Sequence, residues 1–400
     1  MVTFAVSSLA DLGYVQEETF GEVPPSPALT KIRRVSSSLN LSKDTYESQE
    51  IRSDRMVADH RHGVRRVSGD IASELSVDSF DEFLQAIMGG TWTAGVSKSN
   101  TQFTSVTSDS STRTFTFAAG NPVTEGFRVG DIIRFTNLAA TANNNTDFTI
   151  VSFSGTQNRI ITVAESVTTD AVADTSFTVA VVGYKLNIGN TYRSFTIEMG
   201  HTDISQYRVY KGCRVNSVAF ELPPTDMVRA TWGIVGQDMS TISAVSIDAA
   251  YSDAPTNSPL AAVDATLYEG STFTELGSVT GLTFDINNNL DGKPVVGSNT
   301  LPNLLYGNKQ EVTGELTVLF QNATMLNKFI NETESNIFIK LSDPNGTDFL
   351  KIFFPRVKYN GGEIGDADPQ GLPITMPFVA LAPSATDDDD SAVVFQRSNA

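Results

Sequence analysis

One strand–helix pattern is written twice in this chain, and that repetition constrains the fold more than any single motif. VSGDIASELSVDSFDEFLQAIMGG opens at Val67, and VTGELTVLFQNATMLNKFINET opens at Val312. Val67, Gly69, Ile71 and Leu75 fall on Val312, Gly314, Leu316 and Phe320, each pair 245 residues apart. Upstream, Leu39 and Leu41 fall on Phe284 and Ile286 at the same spacing. After one inserted residue the helical part continues at a spacing of 246, with Phe80, Phe83 and Leu84 on Leu326, Phe329 and Ile330. Register held through strand, loop, strand and helix predicts two copies of one structural unit, with those six residues packing each helix onto its sheet.

The second halves of the copies also match, at a different spacing. YRVYKGCRVNSV resembles LKIFFPRVKYNG, with Arg214-Val215 on Arg356-Val357, 142 residues apart. The drop in spacing means that copy one carries about a hundred extra residues. The Thr/Ser/Asn-rich stretch that begins near Thr93 and has its own strand series is the candidate. The expected organisation is an N-terminal arm (1–36), a split first unit (37–92 plus 191–245) and an inserted β domain (93–190). A linker (246–275), a continuous second unit (276–384) and a mobile acidic tail (385–400) follow.

Short alternating runs such as DIIRFTNL, SFTIEMG and IFIKL read as strands, so the fold class is mainly β. Asn345-Gly346 reads as a hairpin turn with two positive φ angles. The best helix is Ser79 to Met88, where Phe80, Phe83, Leu84 and Ile87 share a face. Ser79 and Glu82 suit a capping box, and Gly89-Gly90 suits a left-handed stop.

Chemistry is sparse. Cys213 is alone, which rules out an intrachain disulfide and reads as a small buried apolar residue. His60 and His62 share one face of an extended segment, but no third ligand stands at a metal-binding spacing. No nucleophile elbow, phosphate loop or zinc-protease helix occurs, so neither an enzyme nor a cofactor is expected. The run Asp387 to Asp390 lacks the alternation and central Gly of a calcium loop. No signal peptide opens the chain and no apolar run reaches ~18 residues, so synthesis in the cytosol without membrane insertion is expected.

The net charge of −18 argues against a basic nucleic-acid-binding surface. It is compatible with a surface that nucleic acid must pass without sticking. Ser68, Asp70 and Glu74 alternate with the apolar residues of the first repeated strand. Thr313, Glu315 and Thr317 do so in the second, and Asp70 and Glu315 are equivalents. Each sheet then has one buried and one acidic, hydrated face. That face is either an ordinary solvated exterior or a wall towards something that must not adhere.

The run EIRSDRMVADHRHGVRRVSGDIASELSVDSFDEFLQAIMGGTW resembles the core of tailed-bacteriophage tail tube proteins, as do SFTIEMGHTDISQYRVYKGCRVNSVAFELPP, VTGELTVLFQNATMLNKFIN and FPRVKYNGG. The likeness covers nearly all of 10–92 and 191–382, and leaves the insert outside. It implies two tandem β-sandwich or barrel-like tube domains, each with a flanking helix, in rings that stack into a conduit for viral DNA, and it places the inserted β domain on the outside. Asp70, Glu74 and Glu315 would then face the bore. The loops Ser42–Arg66 and Asn287–Gln310, with Asp54, Arg55, His60, His62, Asn299 and Asn303, would bridge to the next ring. Six domains per ring at two per chain implies trimers with threefold and approximate sixfold symmetry. Implied partners are further copies, other tail proteins at the tube ends, and DNA in transit. Such a protein would be assembled in the host cytoplasm and carried in the virion tail. A β-rich decoration protein that binds a receptor or glycan through the insert is the rival reading.

Overall fold

A computed structural model describes residues 4–365, 371–386 and 388–399. The elements that matter are, in chain order, β1 (Ala10–Gln16), β2 (Asn40–Glu47), β3 (His60–Glu74), α1 (Asp81–Met88), β4 (Phe195–His201), β5 (Gln206–Leu222) and β6 (Arg229–Gly236). After them come β7 (Ala265–Glu269), β8 (Val279–Asn287), β9 (Glu311–Leu319), α2 (Thr324–Ile330), β10 (Ser335–Ser342), β11 (Phe349–Tyr359), β12 (Glu363–Ile364), β13 (Pro373–Ala380) and β14 (Val394–Arg397).

All ladders among these strands are antiparallel, and one order recurs. β2–β3–β6–β5–β4–β1 is followed by β8–β9–β13–β11–β10–β7. Registers recur as well. Glu74 faces Arg229 where Leu319 faces Pro373, and Arg214 faces Val235 as Lys358 faces Val379. Bulges fall at the same places, between Phe195 and Ile197 and between Ser335 and Ile337. These bulges align Cys213 with Val357, a spacing of 144. Arg214 therefore corresponds to Lys358, and the spacing of 142 read from the residues alone is two short. A two-residue slip keeps every side chain on its own face, which is why the alternation could not detect it.

The two sets are joined edge to edge. β5 pairs β8 from Ser217↔Asn287 to Leu222↔Leu282, and the Phe220 and Phe284 rings stack with centroids 4.6 Å apart. A single apolar core runs beneath both sets, from Val67, Ile71 and Trp232 through Phe220 and Phe284 to Leu316 and Phe378.

The insert folds on a core of its own, including Phe115, Phe135, Phe148 and Phe177, inside an eight-stranded sheet. It also grips the second set. Val129, Ile132, Val151 and Val182 pack on Phe338, Phe349 and Phe353. Gln396 of β14, fully buried, accepts from Ile132 N at 3.0 Å and donates to the carbonyls of Ile132 and Val182 at 2.9 and 2.8 Å.

Three expected boundaries need correction. Residues 10–16 are no free arm, because β1 pairs β4 along its whole length and closes the sheet edge. The linker ends earlier than 275, because β7 pairs β10. The C-terminal segment is no mobile tail. Val393, Val394 and Phe395 are fully buried, β14 pairs β11, and Asp389 meets Lys185 at 2.5 Å. Asp387 lies outside the described residues. The short run VVFQR beyond the acidic stretch carries no alternation that would mark it as a strand, since Val393, Val394, Phe395 and Gln396 are all fully buried.

Local chemistry differs in detail. α1 ends on left-handed Gly89 (φ 62°) as expected, but no capping box forms. The Ser79 hydroxyl instead meets that of Ser76 at 2.7 Å and the Arg33 guanidinium at 3.4 Å. The 343–346 turn has one positive φ, at Gly346 (68°).

Candidate functional site

The β5–β8 joint makes β2, β3, β6, β5, β8, β9, β13 and β12 one continuous sheet of eight strands. Strict alternation gives it two unlike faces. Ile71, Trp232, Phe220, Phe284, Leu316 and Met376 point into the core and are at most 1% exposed. The other face is hydrated. Asp70, Glu74 and Glu315 all lie on it and are exposed. Glu221, Asp285 and Glu363 join them, also exposed. Alternation carries these three as plainly as the first: Glu221 lies between Phe220 and Leu222, and Asp285 between Phe284 and Ile286.

Two cations on this face, and one on the neighbouring β11, have carboxylate partners. Arg66 lies 3.9 Å from Asp44, Arg229 pairs with Asp226, and Lys358 lies 3.7 Å from Glu334. The surface is therefore anionic across its width. Loss of hydration pushes the Asp285 carboxyl above the usual carboxylate range.

The two helices are unequal. Phe80, Phe83 and Leu84 are buried, and Phe83 meets Tyr14, Phe195 and Trp232 at centroid distances of 5.1, 5.4 and 5.6 Å. On α2, Leu326 and Phe329 are half-buried against the core, while Ile330 is 62% exposed. The expected packing role of Ile330 is therefore corrected: α2 stops there, one residue before its end-capping Asn331, and turns that side chain outward. An ion pair replaces aromatic packing here, with Lys328 Nζ 2.6 Å from Glu269 Oε1.

The long loops behave differently from one another. In the first hairpin Asp54, Arg55, His60 and His62 are all exposed; Asp54 pairs with Arg52 at 2.6 Å. The His60 and His62 rings lie 5.5 Å apart edge to face. No cluster able to hold a metal occurs among the described residues. The 288–310 loop is tied down at both ends: Asn288 and Gln310 each donate to the Ile87 carbonyl at 2.8 Å and so cap α1. Asn299 accepts from Arg65 N at 2.8 Å, Asn303 is exposed, and Leu301 and Leu304 bury against Val64. The tip, at Val295 and Val296, is exposed.

No catalytic constellation converges on this sheet. Its features are a hydrated anionic face, a buried apolar face and two strand edges, β2 and β12, at its ends. They define a mainly β protein whose sheet presents two unlike faces and two strand edges. The chain belongs to the phage tail tube protein family, whose family model matches residues 7–380. It is thus a structural component of a bacteriophage tail and of the virion. No curated protein matches it significantly.

Proposed function

We propose that three copies of this chain close into a ring of six quasi-equivalent tube units, and that rings stack into the conduit through which viral DNA leaves the particle. The tube would be assembled in the host cytoplasm, with other tail proteins at its ends. The observation that carries the reading is the β5–β8 joint. It already pairs one unit to the next within a chain, and it leaves the matching edges open at the two ends. β12 stands where β5 stands in the first set, because Glu363 faces Thr375 and Ile364 faces Ile374 as Ala219 faces Thr231 and Phe220 faces Ala230. β2 stands where β8 stands. Repeating the joint between copies sets Glu363 against Asn40 of the next copy, and Ile364 against its Leu39, in place of the Phe220–Phe284 stack.

Closing the ring removes adhesive edges by pairing each with a neighbour. Stacking is the contact that does not close, so it propagates as a filament. The hydrated face would then line the bore. Asp70, Glu74, Glu221, Asp285, Glu315 and Glu363 would repel phosphates over about 8 Å at physiological salt, which makes a non-stick wall and not a pump. The exposed tips of the 48–59 and 293–300 segments would contact the adjacent ring.

The test is a cysteine pair, Glu363→Cys with Asn40→Cys. Cys213 is fully buried, so only the introduced thiols react. Oxidised particles should give covalent dimers and trimers and nothing larger, and negative stain should show long hollow tubes. Monomers alone on the gel, with no tubes in the micrograph, would sink the reading.

A further inference from the structure

The segment that precedes β7 has a counterpart that precedes β1. A 3-10 turn at Ala262–Asp264 leads into β7 at Ala265, and a 3-10 turn at Ser7–Leu9 leads into β1 at Ala10, each 255 residues earlier. Ahead of the Ala262 turn, residues 255–261 do not belong to the second set. They lie on the first. Leu260, fully buried, donates from its backbone to Leu75 O at 2.8 Å and accepts from Val228 N at 2.9 Å. Ser76 bridges Pro259 and Met227 bridges Ala261, both antiparallel. Arg33 bonds the Asn257 carbonyl at 2.5 Å, and Asn257 Nδ2 donates to Val77 O at 2.9 Å. A short added strand thus covers the end of the first unit just before the chain enters the second.

At the corresponding place on the second unit there is a cavity of about 510 Å³. It is lined by Ser278, Phe320, Gln321 and Asn322. These are the equivalents, at the spacing of 245, of Arg33, Leu75, Ser76 and Val77, the residues that hold the added strand on the first unit. Even the floor matches: Phe320 N donates to Leu372 O at 2.8 Å as Leu75 N donates to Val228 O. Leu75 is fully buried under Leu260, whereas Phe320 and Leu372 are 37% and 38% exposed. Among the described residues ahead of the Ser7–Leu9 turn, the large apolar side chains Phe4 (78%) and Val6 (50%) are exposed.

We infer that residues 4–6 of one copy add as a strand to the second tube unit of its neighbour, in the cavity beside Phe320, as residues 259–261 do on the first unit within the chain. The equivalence fixes the register. Ala5 takes the place of Leu260, Phe4 faces Gln321 and Val6 faces Gly371. The backbone of Ala5 donates to Phe320 O and accepts from Leu372 N. Ala5 lies over Phe320 and Leu372, Phe4 and Val6 lie on the opposite face beside Gln321 and Gly371, and β-strand addition of this kind draws its affinity from main-chain hydrogen bonds. The inference rests on the ring reading, since it places the same joint between copies.

The experiment uses the full chain with Phe4→Cys and Gln321→Cys, oxidised after assembly. Ser76→Cys with Pro259→Cys is the calibration, because it closes the same geometry inside one chain and leaves the mass on the gel unchanged. The expected result is a covalent species of two and then three times the chain mass, absent from either single-cysteine variant. Failure to form it overturns the inference. The Glu363→Cys/Asn40→Cys pair separates the causes. If that pair links while Phe4→Cys/Gln321→Cys does not, the ring stands and the strand addition is wrong. If neither links, both fall.

Discussion

At the scale of single residues, the polar groups buried between the insert and the second unit matter most. Lys351 is fully buried, and its ammonium finds no hydrogen-bond acceptor among the described residues. Loss of hydration pushes its pKa down to about 8, against the pull of Asp131 and Asp389, with Lys185 adding repulsion. Lys185 itself bridges Asp131 at 2.6 Å and Asp389 at 2.5 Å. Between pH 8 and 10.5 the unfolded chain holds a proton on Lys351 that the folded chain has released. Stability therefore rises with pH across that window, and below it the fold bears the whole cost of the buried charge. Lys351→Met should raise Tm by a few degrees at pH 7, since replacing a poorly paired buried charge by an apolar side chain of similar volume is neutral or stabilising. The gap to the parent should narrow as pH rises from 8 to 10.5, as followed by thermal melts. A lower Tm for the variant at pH 7 would mean that Asp131 and Asp389 outweigh the desolvation.

At the scale of elements, the asymmetry between the helices gives a paired prediction. Phe83→Ala removes a ring packed among Tyr14, Phe195 and Trp232, and should cost ~3–5 kcal/mol. Ile330→Ala removes a side chain in solvent and should change stability by less than about 0.5 kcal/mol. Denaturant melts of the two variants check it, and equal losses would contradict the placement of α2. This contrast also marks how far the residues could be read. Alternation of Val67, Ile71 and Leu75 fixed a strand face, and the 3.6-residue spacing of Phe80, Phe83 and Leu84 fixed a helix face. Both signals are local. The repeat across 245 residues carried the rest, because the two units share a sheet order. Ile330 was misplaced because similarity transfers a position but not the length of a helix. β1 and β14 went unread for another reason: each gains its partner, β4 or β11, from a part of the chain far away in sequence. A short strand has no local signature of the strand it will meet. The acidic face was legible as far as Asp70, Glu74 and Glu315. The rest of it, Glu221, Asp285 and Glu363, required knowing that β5 pairs β8.

At the scale of the whole molecule, one core spans both units and one sheet carries a single anionic face from β2 to β12. The insert is braced against the unit that does not contain it, through Phe338, Phe349, Phe353 and Gln396. It therefore adds a second tie between the two halves, beside the β5–β8 ladder. A rigid pair of units with open, matching edges is the part that a closed ring requires. The direct measurement is an electron cryomicroscopy reconstruction of tubes formed by the purified full chain. The account predicts three chains per ring, with the β2 edge of each copy laddered to β12 of the next. Asp70 and Glu315 should stand at equal radius and face the bore. A tube with these two carboxylates on its outer surface, or at unequal radii, would contradict it.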